Sequence, residues 1–300
     1  MEQKREKGTI QRILVPIDFS DYSLNACYFA LHLSSRHDAE IILFHAFFNP
    51  MVDAMTFPDA FTYQSNLAEV FHEIEQNARK ELDNFTDKLE RYSNLKNLEP
   101  IKIRKEVAAG QPGDEIRNIV KAFKPEIIIT GTHGHGKKTS EVLGSVASRV
   151  IDYEGVPVLL VTRDAVLRED KQIKVLYATN FDNSDYKAVE SLMNIMEIYN
   201  FSIDCVHFTT GTSRNEHAGD LEKMSEMEKH FKKFSGSTPL NCHVIESRDI
   251  LGGLDEFVEK HDIDLISMTH KKRNLFYRLL NPSLAKKLLF KTKRPVFIFN

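Results

Sequence analysis

The sequence predicts two α/β domains in tandem, each a parallel sheet with helices on both faces, which is a doubly wound architecture. Three observations support this. Short apolar runs alternate with amphipathic helical stretches along the chain, as is typical of parallel βα units. The apolar runs lack polar alternation, and such strands are buried on both faces of a sheet. The layout also occurs twice within the 300 residues.

The repeat becomes visible when residues 13–47 are compared with residues 175–208. Both begin with an apolar strand and a polar turn that contains D-F-S or N-F-D, and an amphipathic helix follows. Both then end in a second apolar strand with a histidine near its end. The two halves also finish alike, with P-V-L-L-V at 157–161 and P-V-F-I-F at 295–299. The chain is therefore interpreted as a tandem duplication.

The boundary between the two copies is expected in a charged segment, R-D-A-V-L-R-E-D-K-Q-I-K, at 163–174. We predict domains at 1–163 and 172–300. In the first domain, strands are expected at 12–17, 40–46, 101–108, 126–130 and 156–161. Helices are expected at 22–35, 67–92, 114–122 and 145–152. Residues 48–66 form a longer connection, which is either a lid over a ligand or a plain surface loop.

Composition excludes several classes of protein. Lysine and arginine number 40 against 43 aspartates and glutamates, so the overall charge indicates neither nucleic acid nor membrane binding. The longest apolar runs are far too short to span a bilayer. Three scattered cysteines, Cys27, Cys205 and Cys242, suit a reducing, cytoplasmic location. Cys205 and Cys242 are expected on strands that are neighbours, without a disulfide between them.

A glycine-rich loop follows the fourth expected strand and carries the spacing G-x2-G-x9-G-S from Gly131 to Ser145. Glycines that expose backbone N–H groups ahead of a helix form an anion site. The pattern is neither a P-loop nor a dinucleotide fingerprint. Alone it leaves two interpretations open, a phosphate cradle or a glycine-rich turn without a ligand. His133 and His135 are too few ligands for a zinc site.

Several motifs together resemble those of the universal stress protein family. They are V-P-I-D-F-S at 15–20, a strand that ends in His45-Ala46, G-Q-P-G at 110–113, and G-T-H-G…G-S from 131 to 145. The resemblance implies a five-stranded, Rossmann-like parallel sheet in each domain, of the adenine nucleotide hydrolase-like type. It also implies ATP binding in the first domain, because the ATP-binding branch of the family carries this glycine pattern.

Carried over residue by residue, the resemblance implies a nucleotide site. Pro16 and Ile17 would flank the nucleotide, and Asp18 would lie near the ribose and a Mg²⁺ ion bound with ATP. Asp18 has an alternative interpretation as a helix-capping turn residue. The backbone of Ala46 would contact adenine, and Gly131 would border the ribose.

The phosphates would be held by the rest of the loop, at Gly134, Gly144, Ser145 and the amide of Val146. Gly134 is expected to need a positive φ or room for a phosphate. The Ser145 hydroxyl is expected either to cap the helix or to bind an oxygen.

The second domain is expected to have lost this site. Asn180 replaces Asp18, the first loop glycine is interpreted as deleted, and Lys271 and Asn281-Pro282 replace the others. Residues 264–300 instead carry nine basic residues against one acid, Asp264. This stretch is either a solvated face or a surface for an acidic protein.

No paired carboxylates or nucleophilic triad are evident, so enzymatic activity is uncertain and at most slow ATP hydrolysis. The favoured hypothesis is an ATP-binding stress-response regulator, and the alternatives are an interaction scaffold without nucleotide or a slow ATPase that phosphorylates itself. The family resemblance implies dimers joined through the last strand of each domain. We therefore expect 157–161 and 295–299 to pair within the chain as a pseudo-dimer, with further association of two chains also open.

Overall fold

The computed structural model describes residues 10–48, 64–134, 143–153, 155–166, 168, 171–209, 214–270 and 293–300. Its strands are β1 Arg12–Pro16, β2 Glu40–Phe47, β3 Lys102–Ala109, β4 Ile127–Gly131, β5 Val158–Val161, β6 Ile173–Ala178, β7 Phe201–Thr209, β8 Leu240–Glu246, β9 Leu265–Thr269 and β10 Val296–Phe299. Its helices are α1 Asp21–His37, α2 Gln64–Leu95, α3 Pro112–Phe123, α4 Ser145–Val150, α5 Asn183–Met196, α6 Arg214–Phe231 and α7 Ile250–His261.

The described strands form one ten-stranded sheet in the order β3-β2-β1-β4-β5-β10-β9-β6-β7-β8. We call β1–β5 with their helices the first half, and β6–β10 with theirs the second half. Within each half neighbouring strands are parallel. The α/β class with a mostly parallel, helix-covered sheet is confirmed.

The two halves join at β5 and β10, which pair antiparallel through Val158 with Ile298, Leu159 with Phe297, and Leu160 with Val296. The expected pairing of these two apolar strands within one chain is confirmed. We call this ladder the seam. Because it is the only antiparallel pairing among the described strands, the second half runs opposite to the first.

Helices cover both faces of the sheet, as the continuous apolar strands predicted. On β1, Ile13 and Val15 pack into one buried cluster, whereas Leu14 between them packs into another. The first cluster receives side chains of α1, α2, α5 and α6, and the second those of α3, α4 and α7. Each cluster contains residues of both halves and therefore continues across the seam. Among the described helices, none has the length and apolar content needed to cross a bilayer.

Element boundaries differ from expectation where local chemistry decides them. The strand expected at 156–161 begins at Val158, since Pro157 has no N–H to donate to a ladder. The helix expected at 145–152 ends at Val150, and the one expected at 67–92 extends over Gln64–Leu95. The connection considered as a lid lies mostly outside the described residues, at 49–63.

Helices of the two halves also meet on one face of the sheet. His37, at the end of α1, bonds through Nε2 to the carbonyl oxygen of Ile195 on α5, 3.1 Å away. His37 is 4% exposed, and its Nδ1 has no hydrogen-bond partner among the described residues. Burial lowers the pKa of His37 below its ordinary value of 6.5, although the bond to Ile195 opposes that shift. The folded chain therefore favours the neutral ring.

We predict that His37 makes the protein less stable in acid. Its contribution to the free energy of unfolding is present above the unfolded pKa and is lost as pH falls through the lowered folded pKa. The free energy of unfolding, measured in urea at about pH 7.5 and about pH 5, should fall less for His37→Gln than for wild type between these two pH values. The glutamine keeps a donor for the carbonyl of Ile195. The exposed His72→Gln is the control, and an equal acid loss in wild type and His37→Gln would contradict the assignment.

Candidate functional site

A cavity of about 340 Å³ opens at the carboxyl ends of β1, β2 and β4. In doubly wound sheets ligands bind at this edge, where the strand order reverses, and here β1 lies between β2 and β4. The structure brings all nine residues of the sequence-predicted nucleotide site together around this cavity. They are Pro16, Ile17, Asp18, Ala46, Gly131, Gly134, Gly144, Ser145 and Val146.

Asp18 has two structural roles in the turn after β1. Its Oδ1 accepts hydrogen bonds from the Ser20 hydroxyl at 2.6 Å and from the Ser20 amide at 3.2 Å. Ser20 in turn is the N-cap of α1 and accepts from the amide of Ser23. Phe19 between them takes a left-handed φ of 62°, which makes the turn tight. Asp18 therefore both supports the helix cap and presents a carboxylate to the cavity.

The loop glycines are required for reasons other than those expected. Neither Gly131 nor Gly134 has a positive φ, so the expectation of a left-handed Gly134 is wrong. A Cβ on Gly131 would lie 2.9 Å from the backbone of Tyr22 at the start of α1. A Cβ on Gly134 would lie 2.2 Å from Oδ2 of Asp18. The first glycine thus lets helix and strand approach, and the second makes room for the Asp18 carboxylate.

The loop returns to the cavity at Gly144. The Gly144 amide donates to the carbonyl of Thr132 at 2.8 Å, which ties the start of α4 to the end of β4. Gly144 is the N-cap of α4 and Ser145 is its first residue, so the Ser145 hydroxyl does not cap the helix. Ser145 is one of the residues that line the cavity. The first amides of any helix lack partners within it. Here the first two residues of the helix, Ser145 and Val146, line the cavity.

The opposite wall comes from β2. His45 bonds through Nδ1 to the carbonyl of Ile17 at 2.9 Å, and its ring lies 4.5 Å from that of Phe19. His45 lines the cavity although it was not among the predicted site residues, and the same is true of Pro112 and Ile116 of α3. The sequence did contain a signal for His45, because both copies of the repeat have a histidine near the end of their second strand. In the second half this histidine, His207, makes the same bond to the carbonyl of Thr179.

The second half has a buried polar network at the corresponding place. The amide of Thr179 bonds to the next strand as that of Ile17 does, so Thr179 corresponds to Ile17, and Asp185 to Ser23. Asp185 is 0% exposed and accepts from the hydroxyls of Tyr177, Thr179 and Thr269 and from two backbone amides. Burial and the Asp185 charge raise the pKa of Tyr177 well above its ordinary value.

This register corrects one expectation about the second half. The amide of His270 donates to the carbonyl of Phe299 as that of Thr132 donates to Val161. Thr269 therefore occupies the position of Gly131, so that glycine is substituted and not deleted. The Thr269 hydroxyl joins the network of Asp185, which a glycine cannot do. Lys271 and Asn281-Pro282 lie outside the described residues.

Within the described ranges, no three histidine, cysteine or acidic side chains are placed to hold a metal ion. His133 is buried, and its Nδ1 lies 3.0 Å from the hydroxyl of Thr132. His135 falls outside the described residues. The wall of the cavity thus contains one carboxylate, that of Asp18, and two histidines, His45 and His133, together with apolar, small and hydroxyl-bearing residues.

Comparisons with known proteins agree with this architecture. The family model for the universal stress protein family matches residues 9–162. A universal stress protein of Methanocaldococcus jannaschii is 29% identical over 156 residues, which are 51% of this chain and 82% of that protein. A universal stress protein of Bacillus subtilis is 28% identical over 151 residues, covering 50% and 97%.

Among solved structures, a universal stress protein from Archaeoglobus fulgidus matches 98% of this chain and 99% of its own with a TM-score of 0.63. Its sequence identity is 17%, so this similarity concerns the fold and extends over both halves. The family model covers the half of the chain that contains the cavity. On these grounds the chain belongs to the universal stress protein family.

Proposed function

We propose that the chain is a stress-response regulatory protein that binds ATP in the cavity of the first half and acts through nucleotide-dependent contacts. The observation that carries the proposal is the convergence of the nine residues on one cavity. They come from β1, β2, the loop after β4 and α4, and they are far apart in sequence. A volume of about 340 Å³ lies within the usual range of small-ligand sites.

The walls of the cavity differ in the groups that they offer to a nucleotide. Ala46 and Phe44 present a small apolar surface on the β2 side, where we place adenine. Gly144, Ser145 and Val146 present a hydroxyl and backbone amides on the α4 side, where we place the phosphates. Asp18 and Gly131 lie between these two walls, beside the ribose.

Asp18 also fits a Mg²⁺ ion that arrives with ATP. Mg²⁺ in proteins is usually held by one or two carboxylates together with substrate phosphates. The absence of a side chain on Gly134 leaves space for Oδ2 of Asp18 at this wall, and its Oδ1 is held by Ser20. We therefore assign Asp18 to the metal that accompanies the nucleotide.

The second half is proposed not to bind ATP. Its counterparts of Ile17, Ser23 and Gly131 are Thr179, Asp185 and Thr269, whose side chains are buried and bond to one another. An anionic Asp185 at this position would also repel a phosphate. The role of this half is proposed to be contact with an acidic protein through the basic stretch.

Most of that basic stretch lies outside the described residues, and of its nine lysines and arginines only Lys293 and Arg294 lie within them. Arg294 pairs with Asp262 of its own chain at 3.6 Å. Asp262 also bonds to Lys171 and Arg168, which lower its pKa to about 2. Arg294 is therefore assigned to this internal charge cluster, and the proposed partner surface is restricted to Lys271–Lys293.

We predict that one chain binds one ATP. Isothermal titration of the full-length chain should give a stoichiometry near one, because only the first half has the cavity residues. A stoichiometry of two equal sites would contradict the assignment of the second half. A titration that shows no heat of binding would favour a scaffold that works without nucleotide. Release of phosphate during the titration would favour a slow ATPase.

Gly134→Ala should weaken ATP binding by roughly tenfold or more, about 1.4 kcal/mol. The added Cβ would lie 2.2 Å from Oδ2 of Asp18 and must displace that carboxylate from the wall. Gly219→Ala is the matched control, since a Cβ there meets nothing within 4 Å. Equal affinity of the folded Gly134→Ala variant and wild type would show that the loop does not contact the ligand.

Asp18→Asn should weaken Mg²⁺-ATP more than metal-free ATP. The amide oxygen of asparagine can still accept the hydrogen bond from Ser20. The substitution removes the negative charge that would bind the metal. It also removes the repulsion between that charge and the phosphates, which favours metal-free ATP. Asp21→Asn is the control, because Asp21 is an exposed acid that pairs with Arg163 at 2.9 Å. Titrations with and without Mg²⁺ measure the difference, and equal losses in both conditions would remove the metal from Asp18.

A further inference from the structure

Three sulfur-containing side chains lie in one cluster of the second half, far along the sheet from the cavity. Cys205 on β7 and Cys242 on β8 are register partners in a parallel ladder, which confirms that they lie on neighbouring strands. Cys242 packs against the same buried cluster as Cys205 and Met227. The Sγ atom of Cys205 lies 3.7 Å from Sδ of Met227 on α6. We call Cys205, Cys242 and Met227 the sulfur cluster.

The sulfur cluster lies between the hydrophobic core and the edge of the sheet. Cys205 and Met227 are 0% exposed, whereas Cys242 is partly exposed on β8, the last strand of the sheet. An ion can therefore reach the buried sulfurs past Cys242.

The chemistry of the donors selects the kind of ion. Thiolate and thioether sulfurs are soft ligands that favour Cu(I), whereas carboxylates and carbonyls suit Mg²⁺ and Ca²⁺. Structural zinc takes four ligands from cysteine, histidine and carboxylates, and no set of even three such residues exists in the described part of the chain. A thioether completes a soft site but not a zinc site.

The separation between two of the donors also fits a three-coordinate ion. Metal–sulfur bonds of about 2.3 Å place three sulfurs in a plane around the ion about 4 Å apart. The separation of 3.7 Å between Cys205 and Met227 is close to that value. The donors come from a helix and two strands, which are rigid elements.

We propose that the sulfur cluster binds one soft monovalent ion, Cu(I) or its analogue Ag(I), between α6 and the β7–β8 edge. The ion displaces the thiol protons of Cys205 and Cys242, and two metal–thiolate bonds form. A lone pair of the Met227 sulfur completes the coordination. No atom changes oxidation state, and the two protons pass to solvent past Cys242.

Ion binding must displace the thiol protons of both cysteines. The neighbouring Cys242, together with burial, raises the pKa of Cys205 well above its ordinary range. Ion binding also connects α6 to the sheet. The holo protein should therefore unfold at a higher temperature than the apo protein, because a ligand that binds only the folded state stabilises it.

The test is an anaerobic titration of the full-length, fully reduced chain with Cu(I) in competition with bicinchoninate, whose Cu(I) complex is coloured. One ion per chain is expected. Cys205→Ala and Cys242→Ala should abolish binding, and Met227→Leu should weaken it on the order of tenfold. The matched controls are Cys27→Ala, which removes a buried thiol of the first half, and Met224→Leu, a buried methionine on the same helix. Both should bind like wild type.

The wild-type titration decides the proposal without any variant that must fold. A reduced chain that takes up no Cu(I), while a thiol assay finds its cysteines free, overturns it. The same holds if Cys242→Ala, folded by circular dichroism, binds as wild type does. Loss of two thiols on air oxidation, with no Cu(I) uptake by the reduced chain, would assign the cysteine pair to disulfide formation and reject the ion site.

Discussion

The structure depends on the antiparallel ladder between β5 and β10. Each half alone would end in a strand of buried apolar residues, Val158–Val161 or Val296–Phe299, with one row of backbone groups unpaired. Open edges of this kind invite pairing with other chains. By pairing with each other, the two strands satisfy these groups and allow both apolar clusters to continue across the molecule. The seam therefore joins the two halves through both backbone and core.

The two halves use a carboxylate differently at the same point of the fold. Both have a phenylalanine with a left-handed φ of 62° in the turn after the first strand. In the first half Asp18, within that turn, faces a cavity. In the second half the acid lies five residues after the counterpart of Asp18, at Asp185, and accepts hydrogen bonds from three hydroxyls. A buried charge is tolerated only with such partners. The network therefore depends on Thr179 and Thr269, where the first half has Ile17 and Gly131, as well as on Asp185 itself.

Much of the fold could be predicted because it depends on local patterns. Continuous apolar strands, alternating helices and an internal repeat are visible in one dimension, and strand ends bring loop motifs to one edge of a parallel sheet. The nine residues that line one cavity were carried over from the family resemblance, and this topology explains why they meet.

What could not be predicted depends on contacts distant in sequence. The reason for the glycine at 131 is the backbone of Tyr22, and the reason at 134 is Asp18. Asp185 has the sequence pattern of an ordinary acid in the first turn of a helix, and only the fold reveals that it is buried. The sulfur cluster combines residues from three elements, and its thioether had no motif to mark it.

The direction of the seam has a further consequence. Because β10 runs opposite to β5, the carboxyl ends of the parallel strands point to one side of the sheet in the first half and to the other side in the second. In an assembly of two identical chains, any substitution would change both ends together. Here one chain carries both ends, so a substitution in one half leaves the other half unchanged. The two ends of this pseudo-symmetric molecule could therefore acquire different chemistry.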